Sequence, residues 1–438
     1  MENLLNKALK VADEAEVYMR EVFNTSASVK MGEMKGINSE KKTEVALRII
    51  RDGNMGAAVS TSLEDDSIID RAVIALENQK SEAVSFPNEN YHEVPTYSEE
   101  VKNMSSKELS QLAFDYYNRL KEAGPDIKFD VKLQKSFKKI HLLNSTGFNN
   151  SYDYTNFSLG LNTLTDKGFT GANKEYSSAK LPKVSNESIQ NLIKRHRLGD
   201  HPVSLENEQM PVIFSGKTMG ALMLRVLAGV NGENINKGIS PVKDKLGEQL
   251  FSENITIRDD GKMPYGCNSC PFDDEGTPAQ NTILYDKGVL KNYLLGLSQT
   301  KELDLKPTGN AFKRTLFSKE IEDKPSVFDS NLVVEGKSKS DAELIKNVDR
   351  GLLITGVMGA HTGNINQGDF SMNISSGYLI ENGELVGEVK GSMIAGNIYD
   401  LFQKVEAVGT EYEAMRSIFY YMGYSPMVLF SEASIVGE

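Results

Sequence analysis

The sequence predicts an α+β protein of two domains: an N-terminal domain of mixed helix and strand over residues 1–200, and a β-rich domain over 201–438. Three observations predict this. The first 200 residues switch repeatedly between apolar patterns of helical period and of strand period. The remainder is a succession of short apolar runs punctuated by glycine, the texture of strands joined by turns. Near the change of texture lies a nearly uncharged segment, residues 216–230, with Lys217 and Arg225 as its only charges, which reads as a buried helix. A chain of 438 residues can bury two or three such cores.

Leu4, Leu5, Ala8, Leu9 and Val11 recur at helical spacing, so the chain opens on an amphipathic helix. Residues 16–31 change period, and Val17, Met19, Val22, Ala27, Val29 and Met31 read as strand. Residues 45–50 and 55–60 flank Asp52-Gly53, a hairpin signal, because that pair tolerates the positive φ a tight turn needs. Asp65 or Asp66 is placed to cap a helix whose apolar face is Ile68, Ile69, Ala72, Val73 and Leu76. Residues 78–100 are polar, hold Pro87 and Pro95, and read as a surface connection. Ser105 with Glu108 forms a capping-box pattern at the head of a helix over 105–123, which Gly124-Pro125 ends. Strands over 129–143 and 157–164 and a helix over 185–198 complete the first domain.

In the second half, apolar runs at 211–214, 255–257, 281–285, 289–295, 332–334, 352–357, 377–380 and 384–389 read as strands. Asp286-Lys287-Gly288 and Glu381-Asn382-Gly383 supply turn chemistry between them. Residues 398–408 read as a last helix.

Composition argues against several function classes. With 49 basic and 61 acidic residues the formal charge is −12, which repels phosphate and argues against a protein that coats nucleic acid or anionic lipid. The longest uncharged stretch near the C-terminus, 417–431, is too short and too polar to span a bilayer. The first 20 residues are acidic and amphipathic, unlike a secretory leader. Two cysteines fit a reducing cytoplasm, the expected location.

Four residue groups are candidates for chemistry. The five histidines, His92, His141, His196, His201 and His361, form no HExxH and no helical i, i+4 pair, so zinc has no obvious motif. His196 sits in a basic run that complements a helix C-terminus. Cys267-Asn268-Ser269-Cys270 is a lone CxxC with no second ligand pair nearby, and reads as two free thiols in a loop. Asp273-Asp274-Glu275 lacks the alternating spacing of a calcium loop and reads as a solvated acidic turn. Glycine- and asparagine-rich loops occur at 229–232, 308–311 and 359–364, without the form of a phosphate-binding loop.

Longer segments carry a resemblance. Residues 271–278 (PFDDEGTP), 289–295 (VLKNYLL), 307–311 (PTGNA), 378–384 (YLIENGE) and 394–397 (IAGN), with 12–18 (ADEAEVY) ahead of them, resemble the TldD/PmbA family in order and spacing. The resemblance covers nearly the whole chain. It implies a two-domain α+β architecture and a cytoplasmic dimeric assembly that degrades or trims peptides. It also implies a choice of branch. TldD-like members carry a zinc-binding HExxxH on a helix and a cysteine near the C-terminus. PmbA-like (TldE) members lack both and act as partner subunit. In the corresponding helix Leu224 stands for the first histidine, Arg225 for the glutamate and Gly229 for the second histidine, and no cysteine follows Val408. Leucine and glycine offer zinc no side-chain donor, and arginine cannot act as a general base.

The resemblance thus implies a PmbA/TldE-type, non-catalytic subunit without cofactor, zinc being expected only in a TldD-like catalytic partner. Its ligand would be extended or unfolded peptide, held by an offered strand edge, with Asn231, Asn310, His361 and Asn364 as the expected substrate- or partner-facing residues. Two alternatives stay open: a homodimeric peptide-binding scaffold without peptidase role, and a self-sufficient peptidase using other ligands such as Cys267 and Cys270.

Overall fold

The computed structural model describes residues 1–78, 84–314, 320–417 and 420–437. Its mixture of helix and strand is the α+β class that the alternating periods predict. The first half is built on one antiparallel sheet of six strands: β1 (Glu14–Lys30), β2 (Glu33–Arg51), β3 (Asn54–Ser60), β4 (Lys128–Asn144), β5 (Asn149–Leu164) and β6 (Thr170–Ser178). Their order is β3-β2-β1-β4-β5-β6, which leaves β6 at the edge. Residues 16–31 thus belong to one long strand. The β2–β3 turn is as expected, with φ of 52° at Asp52 and 71° at Gly53.

Strand alternation gives this sheet two different faces. Ala15, Val17, Ala27 and Val29 join apolar clusters with helices α1 (Glu2–Ala8), α2 (Ser67–Asn78), α3 (Glu99–Asn103), α4 (Ser106–Ala123) and α5 (Asn186–Leu198). Ser105 and Glu108 form the expected capping box of α4, and Ser185 caps α5. The opposite face carries Glu16, Tyr18, Glu44, Ala46 and Arg48. By alternation alone it would face water, yet the second half of the chain covers it. Arg48 donates to both carboxylate oxygens of Glu16, each at 2.8 Å, and to Glu275 at 3.2 Å. Beside it Phe272 enters an aromatic cage, with ring centroids 5.0 Å from Tyr91, 5.1 Å from Phe148 and 5.2 Å from Tyr152.

The second half runs β7 (Pro202–Val203), β8 (Glu208–Phe214), α6 (Gly216–Val230), α7 (Gly232–Asn236), β9 (Ile255–Asp260), β10 (Asn281–Asp286), β11 (Val289–Leu290), β12 (Ala311–Phe312), β13 (Ser326–Val327), β14 (Leu332–Gly336), β15 (Arg350–Met358), β16 (Asp369–Glu381), β17 (Glu384–Val389), β18 (Met393–Asn397), β19 (Val405–Val408), β20 (Glu413–Arg416), β21 (Tyr421–Ser425) and β22 (Val428–Val436). Pairing runs β15-β8-β22-β18-β16, and β16 pairs back with β15, so these five strands close a ring. A second sheet has the order β11-β10-β9-β14-β21-β20. α6 packs against both, inside the largest apolar cluster. No helix among the described residues is long and apolar enough to cross a membrane.

Four sequence expectations are corrected. The helix expected over 398–408 stops at Leu401, and Val405, Ala407 and Val408 form β19 on β22. Sheet pairing there outweighs a local period that both structures satisfy. The strand expected over 289–295 is regular only at Val289–Leu290. The connection over 78–100 is not wholly superficial. It buries Phe86, Val94 and Thr96 and ends in the first turn of α3, while residues 79–83 lie outside the described residues. The acidic turn is not solvated. Asp273 is fully buried and accepts backbone N–H groups from Glu275 (3.0 Å), Thr277 (2.9 Å) and Ala311 (2.9 Å). Glu275 faces Arg48 and accepts the Leu297 N–H at 2.8 Å. Charge patterning cannot foresee this burial, because Arg48, Leu297 and Ala311 lie far away in sequence.

Candidate functional site

The site forms around α6. Ser215 caps the helix by accepting the Thr218 N–H at 3.4 Å, and the Glu413 carboxylate accepts the Lys217 N–H at 3.1 Å. A negative group at a helix start is favoured by the peptide dipoles. One face of α6 lies almost backbone to backbone on β20 and β21. A Cβ at Gly216 would come within 1.9 Å of the Ser425 carbonyl oxygen, and one at Gly220 within 2.6 Å of that of Arg416. Glycine at both positions is what allows this approach.

Between the first turns of α6 and the sheet edge β6 opens a cleft of about 510 Å³. Thr170, Asn173 and Glu175 of β6 form one wall, and Lys217, Thr218, Ala221 and Leu224 of α6 another. The third is the end of the β15–β16 pair, where register shifts beside Gly356 turn Val357, Met358 and the 359–361 loop toward the cleft. Arg416 closes the far end.

The cleft is ionic at its base. Lys174 pairs with Glu413, and Arg416 pairs with Glu175 at 3.3 Å. Burial alone would raise the Glu413 carboxyl, but the Lys174 ammonium outweighs it and holds the group down to about 2. Lys217 Nζ donates to Asn173 Oδ1, and burial draws that amine below its ordinary value.

One turn further along α6, Arg225 is fully enclosed. Its Nε donates to the Asp369 carbonyl (2.7 Å), Nη1 to those of Ala221 (2.9 Å) and Ala360 (2.9 Å), and Nη2 to that of Thr362 (2.6 Å). The guanidinium thus fastens the 359–363 loop and the start of β16 to the helix. Burial lowers its pKa to about 10, which leaves it cationic at neutral pH. Leu224 is buried at the cleft wall. Gly229 is buried beneath Tyr399, whose hydroxyl oxygen stands 2.3 Å from where a Cβ would be. Among the described residues that hydroxyl has no hydrogen-bond partner.

The residues expected to face substrate or partner are spread out. His361 is exposed and lines the cleft, and Asn364 lies exposed nearby, capping the 3-10 turn Ile365–Gln367. Asn231 caps α7, accepting the Glu233 N–H at 2.8 Å, and donates to the Val327 carbonyl at 3.0 Å. Asn310 is buried and donates to Asp259 Oδ2 at 2.7 Å. Only His361 lines the cleft. Cys267 and Cys270 are both buried and free. Burial pushes the Cys267 thiol up to about 12 and raises that of Cys270 as well, so both are protonated at neutral pH. Sequence reasoning passed over Lys217, Asn173, Glu175, Glu413 and Arg416. The one signal was Lys217, which with Arg225 is one of only two charges in that helix.

Comparison with known proteins gives a consistent picture. Residues 207–437 match the family model for the PmbA/TldA metallopeptidase C-terminal domain, and residues 15–78 that for PmbA/TldA metallopeptidase domain 1. An uncharacterized protein of Methanocaldococcus jannaschii is 25% identical over 414 residues, covering 92% of this chain and 93% of its own. Metalloprotease PmbA of Escherichia coli O157:H7 is 23% identical over 473 residues, covering 100% of this chain and 96% of its own. The solved structure of TldE from Thermococcus kodakarensis shares the fold, with a TM-score of 0.90 at 24% identity and 100% of both chains covered. The C-terminal match alone spans more than half of the sequence, and the chain belongs to the PmbA/TldA metallopeptidase family.

Proposed function

We infer that this chain is the zinc-free, PmbA/TldE-like subunit of a TldD/TldE-type peptidase assembly in the cytoplasm. A TldD-like partner supplies the metal and the chemistry, and this chain completes the chamber and holds extended or unfolded peptide. The observation that carries the reading is Arg225. In the helix where a catalytic relative would have its zinc motif, a permanent cation is hydrogen-bonded to four carbonyl oxygens. A zinc ion needs lone-pair donors, and a guanidinium has none. Leu224 offers none either, and the space beside Gly229 is filled by Tyr399. Among the described residues no three His, Cys, Asp or Glu side chains group as a metal set. The residues present therefore do not fit zinc, and no hydrolytic step is routed through this chain.

The cleft suits the peptide-holding role. β6 is an edge strand beside it, and an edge can pair with an extended chain. Two measurements test the reading. The purified chain should bind no stoichiometric zinc by elemental analysis and should not cleave an unfolded peptide. Co-expressed with an HExxxH-bearing relative, it should copurify with it and the pair should cleave. Zinc binding with cleavage by the chain alone would overturn the reading, and copurification only with itself would favour a homodimeric scaffold.

A further inference from the structure

The cleft contains an anion deficit centred on Lys217. The charges that bear most on this ammonium are two carboxylates, Glu175 and Glu413, and two guanidinium groups, Arg195 and Arg416. Both carboxylates are already engaged. Glu413 holds Lys174 and the Lys217 backbone N–H, and Glu175 holds Arg416 at 3.3 Å and the Tyr421 hydroxyl at 3.4 Å. Lys217 Nζ is left with the amide oxygen of Asn173, and no described carboxylate reaches it as an ion pair. An ammonium has three donors, and the described protein groups supply this one with a single, neutral acceptor. It stands in the wall of an open cleft, so an entering carboxylate can complete its shell with a charge-assisted hydrogen bond. Met358, 59% exposed, lines the same cleft and offers an apolar contact to the rest of such a ligand.

We propose that the cleft is a carboxylate subsite, in which the Lys217 ammonium, oriented by Asn173, takes the carboxylate of a peptide, either its C-terminus or an acidic side chain. The subsite rests on the peptide-holding role inferred above and gives it a chemical preference.

The chain has no tryptophan, so a tryptophan-bearing alanine peptide can be followed by its own fluorescence on the full-length protein. Three probes are compared: one with a free C-terminal carboxylate, one ending in an amide, and an amidated one with a single internal glutamate. The free acid should bind about tenfold tighter than the amide, the scale of one charge-assisted hydrogen bond. The preference should weaken with salt, vanish in Lys217→Gln and persist in Lys217→Arg, so that its loss reports charge rather than fold. If the internal glutamate restores tight binding, the side chain suffices. If it does not, the C-terminus is the ligand. Equal binding of acid and amide by the native chain overturns the subsite while leaving peptide holding intact. Failure of all three probes to bind overturns both.

Discussion

Arg48 and Arg225 are both enclosed guanidinium groups, 2% and 0% exposed, and they are held in opposite ways. Arg48 joins the first sheet to the Asp273–Pro278 turn through two carboxylates. Burial opposes its charge, and Glu16 and Glu275 more than restore it, so its pKa is raised. Arg225 faces carbonyl oxygens, and burial lowers it to about 10. The first is an ion cluster, in which each member makes the others affordable in a low dielectric. The second is a hydrogen-bond hub, in which one cation organises backbone from a helix, a loop and a strand. The difference shows that the charge on α6 holds backbone in place through carbonyl oxygens, where Arg48 is held by carboxylates.

Removing each arginine tests that distinction. Arg48→Ala should have the largest effect, about 4 kcal/mol of unfolding free energy, because it leaves two carboxylates without their common cation. A denaturant titration measures it, and Glu16→Gln added to Arg48→Ala should recover part of the loss. Arg225→Met should cost about 3 kcal/mol, through carbonyls left without a donor. Its signature is local: amide exchange should rise in the 359–363 loop and stay unchanged around Arg48. Unchanged exchange in that loop would break the hub account.

Acid should separate the ionic cleft from the hub. The folded value of Glu413 is depressed from 4.5 to about 2. Its contribution is therefore fully present above its unfolded value and is lost as pH falls through about 2. The stability gap between the native chain and Glu413→Gln should be about 3 kcal/mol at neutral pH and narrow from about pH 5 to 2. The gap between native and Arg225→Met should not vary over that range. The smallest effect concerns Gly229. Gly229→Ala should cost about 1 kcal/mol by overpacking against Tyr399, and Tyr399→Phe should relieve it, since the lost hydroxyl had no partner.

Much of the local structure was legible. Ser105 with Glu108, Asp52-Gly53 and Asn382-Gly383 carry their own physics within three or four residues, and each forms the expected cap or turn. The near absence of charge in 216–230 correctly marked a buried helix. The misread acidic turn has a tertiary cause. Asp273 and Glu275 read as solvated because a one-dimensional pattern cannot show that the polar face bearing Glu16 and Arg48 meets them and that the two satisfy each other. Lys217, Asn173, Glu175 and Glu413 were invisible as a site, since three separate segments bring them together.

By itself, the sequence determined the α+β class, the family resemblance and a nearly uncharged helix over 216–230 that contains no histidine. These depend on period and on residue identity, which are properties of the chain order. The tertiary structure alone decided where the cleft lies, which charges neutralise one another and which is left short of a partner. Those are properties of distance and burial, and residues as far apart as Lys174 and Glu413 acquire them only once the sheet edge is docked against α6.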